Sequence, residues 1–248
     1  MTTLFISDLH LDPARPDVTR AFFEFLRKDA VNADKLYILG DLFESWIGDD
    51  DNTDLSRSVI QALRELSLLK TPVYLQHGNR DFLLGPDFFS QSLCINLTDP
   101  TIIDLYGKSV LLMHGDSLCT EDRDYIKFRS MVRDPNWQRE FLEQPLEKRR
   151  IVAQQIRNAS KDANSNKSQD IMDVSPNDVT RAFNEQKVDL MIHGHTHRPF
   201  VHKQMVDDKS TTRVVLGDWE DYAWVFRYLP DHSYNLDKYR LNTQHNKG

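Results

Sequence analysis

The chain has 248 residues, 40% of them hydrophobic and 28% charged, and a formal net charge of −7. This is enough for one large α/β domain or two small ones with a proper core. The acidic balance argues against general nucleic-acid binding, which favours a basic surface. Cys94 and Cys119 stand far apart with no CxxC pair, which excludes a thiolate zinc site and favours two reduced thiols over a disulfide.

In chain order, the start MTTLFISDLH has no basic region, and its apolar run is too short for a signal peptide. TLFIS (3–7) reads as a buried strand. ARPDVTRAFFEFLRKDA (14–30) has helical spacing, with Phe22, Phe23, Leu26 and Ala30 on one side. KLYILG (35–40) is the next strand, LSRSVIQALRELSLL (55–69) the next helix and PVYLQHG (72–78) a third strand. Strands TIIDLYG (101–107) and SVLLMHG (109–115) follow, the latter almost continuously apolar, as a strand buried on both faces should be.

From 120 to 170 the strand pattern disappears. Helical spacing links Ile126, Met131 and Val132, then Trp137, Phe141 and Leu142, then Ile151, Val152 and Ile156, with Pro135 and Pro145 separating the segments. SPNDVTRAFNEQ (175–186) opens with Ser175 as N-cap and Pro176 at the first helical position. VDLMIHGHTH (188–197) is another buried strand, RVVLGDW (213–219) and AWVFRYL (223–229) close the pattern, and NTQHNKG (242–248) looks like a frayed tail. No run approaches the ~18 apolar residues of a transmembrane helix. These readings give an α/β core, 1–119 with 171–248, carrying a helical insertion at 120–170, in a cytosolic protein able to touch a membrane from that side.

Five apolar segments end in groups that bind metals. They deliver Asp8 and His10, Asp41, Asn79, His114, and His195 with His197. In an open α/β sheet, ligands gather beyond the carboxyl ends of the strands, so five such ends point to one cleft. Carboxylate, imidazole and carboxamide donors without sulfur suit divalent Mn, Fe, Zn or Co. Seven donors are too many for one ion and fit two that share a carboxylate, a clamp for hydrolysis at phosphorus by a hydroxide held between them.

In order, DLH, GD, GNRD, HGD and GHTH resemble the calcineurin-like metallophosphoesterases. GNRDFLLG, HGDSLCTEDRDYIKFR and IRNASKDANSNKSQDIMDVSP are similar, more narrowly, to the UDP-2,3-diacylglucosamine hydrolases, the pyrophosphatases of the lipid A pathway. The resemblance covers nearly the whole chain and implies a layered αββα sandwich with a helical lid. It implies cleavage of UDP-2,3-diacylglucosamine to UMP and 2,3-diacylglucosamine 1-phosphate, with Mn²⁺ the expected metal. By the same resemblance, Asp8, His10, Asp41 and His197 hold one ion, and Asp41, Asn79, His114 and His195 hold the other. Arg80, His114 and Asp41 carry the reaction. Substrate contacts fall on Asn79, Arg80, Asp122, Ser160, Asn164, Lys167 and His195, with Tyr125 and Arg157 in matching motifs. Position 164 is more often threonine in that family.

Arg80 stands where many relatives in the broad superfamily carry histidine to protonate an alkoxide. A departing sugar phosphate, with a second pKa of about 6, needs no acid. It needs charge compensation, which a fixed guanidinium fork supplies. The competing reading is a loop pair between Arg80 and Asp81. The segment 127–167 holds ten basic and five acidic residues, net +5 within a chain of −7. With Trp137, Phe141 and Leu142, this suits a lid that shelters two acyl chains and rests on the anionic cytoplasmic face of the inner membrane. The alternatives are a generic metal-dependent phosphodiesterase acting on soluble nucleotides, and a metal-free scaffold that binds a membrane or partner.

Overall fold

A computed structural model describes residues 1–165 and 173–241, with side chains up to 159 and from 173. Two sheets face each other. The first runs in the order β11(Tyr234–Arg240), β10(Tyr222–Tyr228), β1(Thr3–Ile6), β2(Lys35–Leu39), β3(Val73–Gln76), β4(Ile95–Leu97). Strands β1 to β4 are parallel, and β10 and β11 are antiparallel additions at one edge. The second runs β5(Thr101–Leu105), β6(Lys108–Met113), β7(Leu190–His193), β9(Lys209–Val215), β8(Phe200–Val206), with β6, β7 and β9 parallel.

Side chains alternate along each strand. Phe5 of β1 therefore points into the space between the sheets, with Tyr37, Leu112, Ile192, Val214 and Phe226. Leu4 and Ile6 point the other way and pack under α1(Pro16–Lys28) and α2(Asp54–Leu68) with Phe22, Leu26, Val59 and Leu63. On the far face of the second sheet, Leu111 and Met191 meet Val179 and Phe183 of a later helix, Pro176–Gln186. The result is the αββα layering expected from the sequence.

The described chain also contains elements absent from the sequence reading: β4, β8, β11 and a short helix α3(Pro86–Ser92). β11 sits at a sheet edge with mostly exposed or half-buried residues, so it lacks an apolar run. In α3 the Asp49 carboxylate accepts from the backbone N–H groups of Gly85, Asp87 and Phe88. A partner 36 or more residues away therefore caps it. Ser175 precedes its helix as expected, but its side chain makes no capping bond.

Between β6 and the helix at Pro176 lie α4(Arg123–Val132), α5(Pro135–Leu142) and α6(Leu146–Ser165), followed by α7(Pro176–Gln186). The membrane-facing role read for Trp137 and Phe141 is corrected here. Phe141 is buried and stacks with Trp137, and Trp137 also meets Phe82 of the core. Only Leu142 of the three turns outward. Much of the positive charge of these helices is also spent on the core. Arg149, 3% exposed, pairs with Asp50 and donates to Ile47 O; Arg150 pairs with Asp51; Arg157 pairs with Glu44. Among the described residues no helix is long and apolar enough to cross a membrane. Cys94 and Cys119 are both buried and form no disulfide.

Candidate metal centre and flanking clefts

The carboxyl ends of β1, β2, β3, β6 and β7 open onto one edge of the sandwich. Backbone bonds continue from strand to loop: Asp8 N–H to Gly40 O, His10 N–H to Asp41 O, and Gly194 N–H to His114 O. The loops therefore leave the sheets already tied together. Asp8, His10, Asp41, His195 and His197 all have φ between 49° and 70°. This left-handed region costs a non-glycine residue on the order of 1–3 kcal/mol. Five such residues in one site indicate a backbone bent to aim these side chains at a common point. The glycines between them are required by close approach. A Cβ on Gly78 would strike the Asp41 carboxylate, and one on Gly194 would strike Asp8.

All seven residues expected from the sequence converge. His10 Nε2 lies 3.2 Å from His197 Nε2 and 3.8 Å from Asp41 Oδ2. His197 Nε2 lies 3.5 Å from Asp8 Oδ1. On the other side, His114 Nε2 is 3.8 Å from Asp41 Oδ1 and 2.9 Å from Asn79 Oδ1, and His195 Nδ1 is 2.8 Å from the same Asn79 oxygen. The two oxygens of Asp41 thus face opposite histidines. Asp8, His10 and His197 form one group with metal-ligand spacing; Asp8, Asp41 and His114 form another.

The donor geometry fits cations. The His114 ring donates from Nδ1 to Leu39 O at 2.9 Å. A neutral ring then turns a lone pair from Nε2 toward the Asn79 oxygen, itself an acceptor. Two acceptors at 2.9 Å require a proton or a metal ion between them. The electrostatics of the donor cluster agree. Burial opposes protonation of His114, but Asp41, Asp116 and Asp8 raise its pKa to about 9. His197 is likewise raised to about 9, against burial, by Asp8 and Asp218. Burial and the His114 charge push His195 down to about 3. Burial pushes the Asp41 carboxyl up, and the neighbouring histidines only partly offset it. Asp8 is held well below the usual range by His197, His114 and His10 despite its burial.

Several supporting residues carried no sequence signal of their own. Glu44 Oε2 is 2.8 Å from His10 Nδ1, and Asp218 Oδ2 is 3.6 Å from His197 Nδ1. Carboxylates behind histidines fix ring orientation and raise basicity. Asp81 accepts from the N–H groups of Gly78, Leu42 and Phe43. It is therefore spent on the backbone, and the reading that pairs it with Arg80 is corrected. The Arg80 N–H donates to Asp41 Oδ1 at 2.8 Å, while its guanidinium has no ion-pair partner among the described residues and its Nε is buried without a hydrogen bond.

Asp122 caps α4 through the Tyr125 N–H, and the Tyr125 hydroxyl donates to Asp116 Oδ2 at 2.8 Å while its ring lies 5.7 Å from His195. Ser160, Asn164 and Lys167 lie outside the residues whose side chains are described. Two clefts flank the cluster. One, of about 400 Å³, is walled by Trp46, Phe82, Phe128, Trp137 and Phe141 and reaches Asn79 and Arg80. The other, of about 420 Å³, lies beside His10 and His197.

A family model for calcineurin-like phosphoesterases matches residues 1–199. A UDP-2,3-diacylglucosamine hydrolase of Marinobacter nauticus is 51% identical over 224 residues, covering 90% of this chain and 92% of that protein. Proteins of the same name from Chromohalobacter salexigens and Cellvibrio japonicus are 53% and 50% identical, covering 93% and 90% of this chain and 94% and 93% of theirs. The chain belongs to the calcineurin-like phosphoesterases and, within them, to the family of proteins named UDP-2,3-diacylglucosamine hydrolase.

Proposed function

We propose that this protein hydrolyses the pyrophosphate bond of UDP-2,3-diacylglucosamine, giving UMP and 2,3-diacylglucosamine 1-phosphate, a step of lipid A synthesis. The observation that carries this reading beyond phosphate-ester hydrolysis in general is the aromatic-walled cleft that shares Asn79 and Arg80 with the donor cluster. Two acyl chains would fill such a cleft with apolar surface that a soluble nucleotide, with one base, does not carry. The names of the relatives point to the same substrate.

Asp8, His10, Asp41 and His197 would hold one divalent ion and Asp41, Asn79, His114 and His195 the other. The mixed O and N donors suit Mn²⁺. When bound, the pair would supply Lewis acidity and an activated water. The chain does the rest. Glu44, Asp218 and Leu39 O orient three of the histidines. Arg80, with no ion-pair partner among the described residues, offers a cation where the sugar phosphate gathers charge as it leaves. Helices α4 to α6 act as a lid over the acyl chains, within an insertion at 120–170. Their exposed Met131, Leu142 and Ile151 are the apolar side chains available to a membrane surface.

The test is UMP release with Mn²⁺ from the diacylated substrate beside the unacylated UDP-sugar. Release from the acylated substrate alone is expected. Equal turnover of both would remove the cleft as a specificity element, and release from neither by the metal-loaded protein would overturn the assignment.

A further inference from the structure

The reading above occupies one of the two clefts that meet at the donor cluster. Arg80, Arg157 and Glu44 line both. The second cleft, of about 420 Å³, is formed by the loop after β1, the start of α1 and the segment after β9. Its volume falls in the usual range for small-ligand sites, ~300–1,000 Å³. Its lining is polar where its neighbour's is aromatic. Beyond the shared residues its titratable lining is Asp8, Asp12, Asp218 and Glu220 with His10, His197 and Arg15. Arg15 is already paired with Asp17 at 3.0 Å. Asp8 and Asp218 face the His197 ring, which leaves Asp12 and Glu220 as the carboxylates turned to a ligand. Its apolar lining is Leu9, Ala14, Val18 and Trp219.

Asp12 is held in place before any ligand arrives. Its Oδ1 accepts from Ala14 N–H at 2.8 Å, and its Oδ2 lies 3.6 Å from Arg157. A matching ligand has hydroxyl or N–H donors for carboxylates, has carbonyl acceptors for a guanidinium, and lays a flat ring on an apolar lining. A pyrimidine nucleoside has all of these. Its ribose hydroxyls can donate to carboxylates, as ribose does in dinucleotide-binding folds, and the uracil imide sets an N–H between two carbonyls.

We propose that this second cleft is the nucleoside subsite, with Asp12 and Glu220 accepting from the ribose or the uracil N–H. The identity of the nucleoside rests on the proposed function. The difference in lining then fixes how the substrate lies. The uridine points toward Asp12 and Glu220. The acyl chains of the departing sugar phosphate point into the aromatic-walled cleft. The phosphorus bonded to uridine is left at the donor cluster between them.

The test is calorimetric binding of UMP and of 2,3-diacylglucosamine 1-phosphate to the Mn²⁺-loaded protein, compared with Asp12→Ala and Glu220→Ala. Glu220 is exposed, so its variant tests the cleft without challenging the fold. Each substitution should weaken UMP roughly tenfold, the scale of one hydrogen bond to a charged group, and raise the KM for the whole substrate. In Glu220→Ala, affinity for the lipid product should stay within about twofold, because Glu220 lines the second cleft and not the aromatic-walled one. Unchanged UMP affinity in both variants would overturn the proposal, as would loss of UMP binding in Phe128→Ala on the opposite side. Failure of the parent reading looks different: the wild type would release no UMP from the diacylated substrate, yet UMP binding would still depend on Asp12 and Glu220. A wild-type protein that binds no UMP at all would refute the subsite.

Discussion

Arg80 is anchored through its backbone N–H, which holds Asp41 Oδ1 as any residue but proline would. The residue lines both clefts, and its guanidinium has no ion-pair partner among the described residues. Arg80→Ala should therefore leave bound metal unchanged by elemental analysis and lower kcat by roughly 10²–10³-fold, the cost of removing one charge-stabilising donor group. Arg80→Lys should recover only part of this, since it restores charge without the planar fork. A variant that loses metal along with rate would make Arg80 a structural residue. Asp81 is the side chain with the structural task, and Asp81→Ala should release the loop N–H groups it now holds.

At the scale of elements, one attachment of α6 to the core is Arg149, which bonds Asp50, Ile47 O and Gln144 O while almost fully buried. Truncating it removes both an ion pair and the bonds that satisfy Ile47 and Gln144. Arg149→Ala should therefore raise the rate of limited proteolysis within 123–165 about tenfold, on the scale of losing a hydrogen bond to a charged group, without lowering metal content. Cleavage at the wild-type rate would mean that the helices are held by apolar packing alone. This attachment was not readable from sequence. Helical periodicity reports that Trp137 and Phe141 share an apolar face but not what that face meets, and here it meets Phe82. Three of the ten cations read as a membrane-facing patch, Arg149, Arg150 and Arg157, pair instead with Asp50, Asp51 and Glu44. The donor cluster, by contrast, was legible, because each donor follows a buried apolar strand and parallel strands must end on the same side. Glu44 and Asp218 were not, because their contacts with His10 and His197 join segments whose proximity only the fold creates.

For the whole molecule, the donor cluster links metal, protons and stability. In the metal-free protein, His114 and His197 are raised to about 9, and His10 is raised as well, each against burial by neighbouring carboxylates. Their ordinary value is 6.5. Folded values above unfolded ones mean that these charges stabilise the metal-free fold fully below about pH 6.5, and that the contribution is lost as pH rises through about 9. His195, depressed to about 3, acts only below its ordinary value, so it does not enter this window. Asp8, held low, is ionised throughout it. Metal and proton compete for the same lone pairs. Thermal denaturation of chelator-treated protein should therefore show Tm falling from pH 6.5 to 9, while the Mn²⁺-loaded protein holds or gains over the same range. Loading both sites at pH 7 should release about two protons, one each from His114 and His197, so the apparent affinity of each site should rise about tenfold per pH unit. Calorimetry in buffers of different ionisation enthalpy measures that count. Parallel Tm curves with no proton release would mean that metal does not displace protons from these histidines, and the assignment of His114 and His197 as ligands would fail.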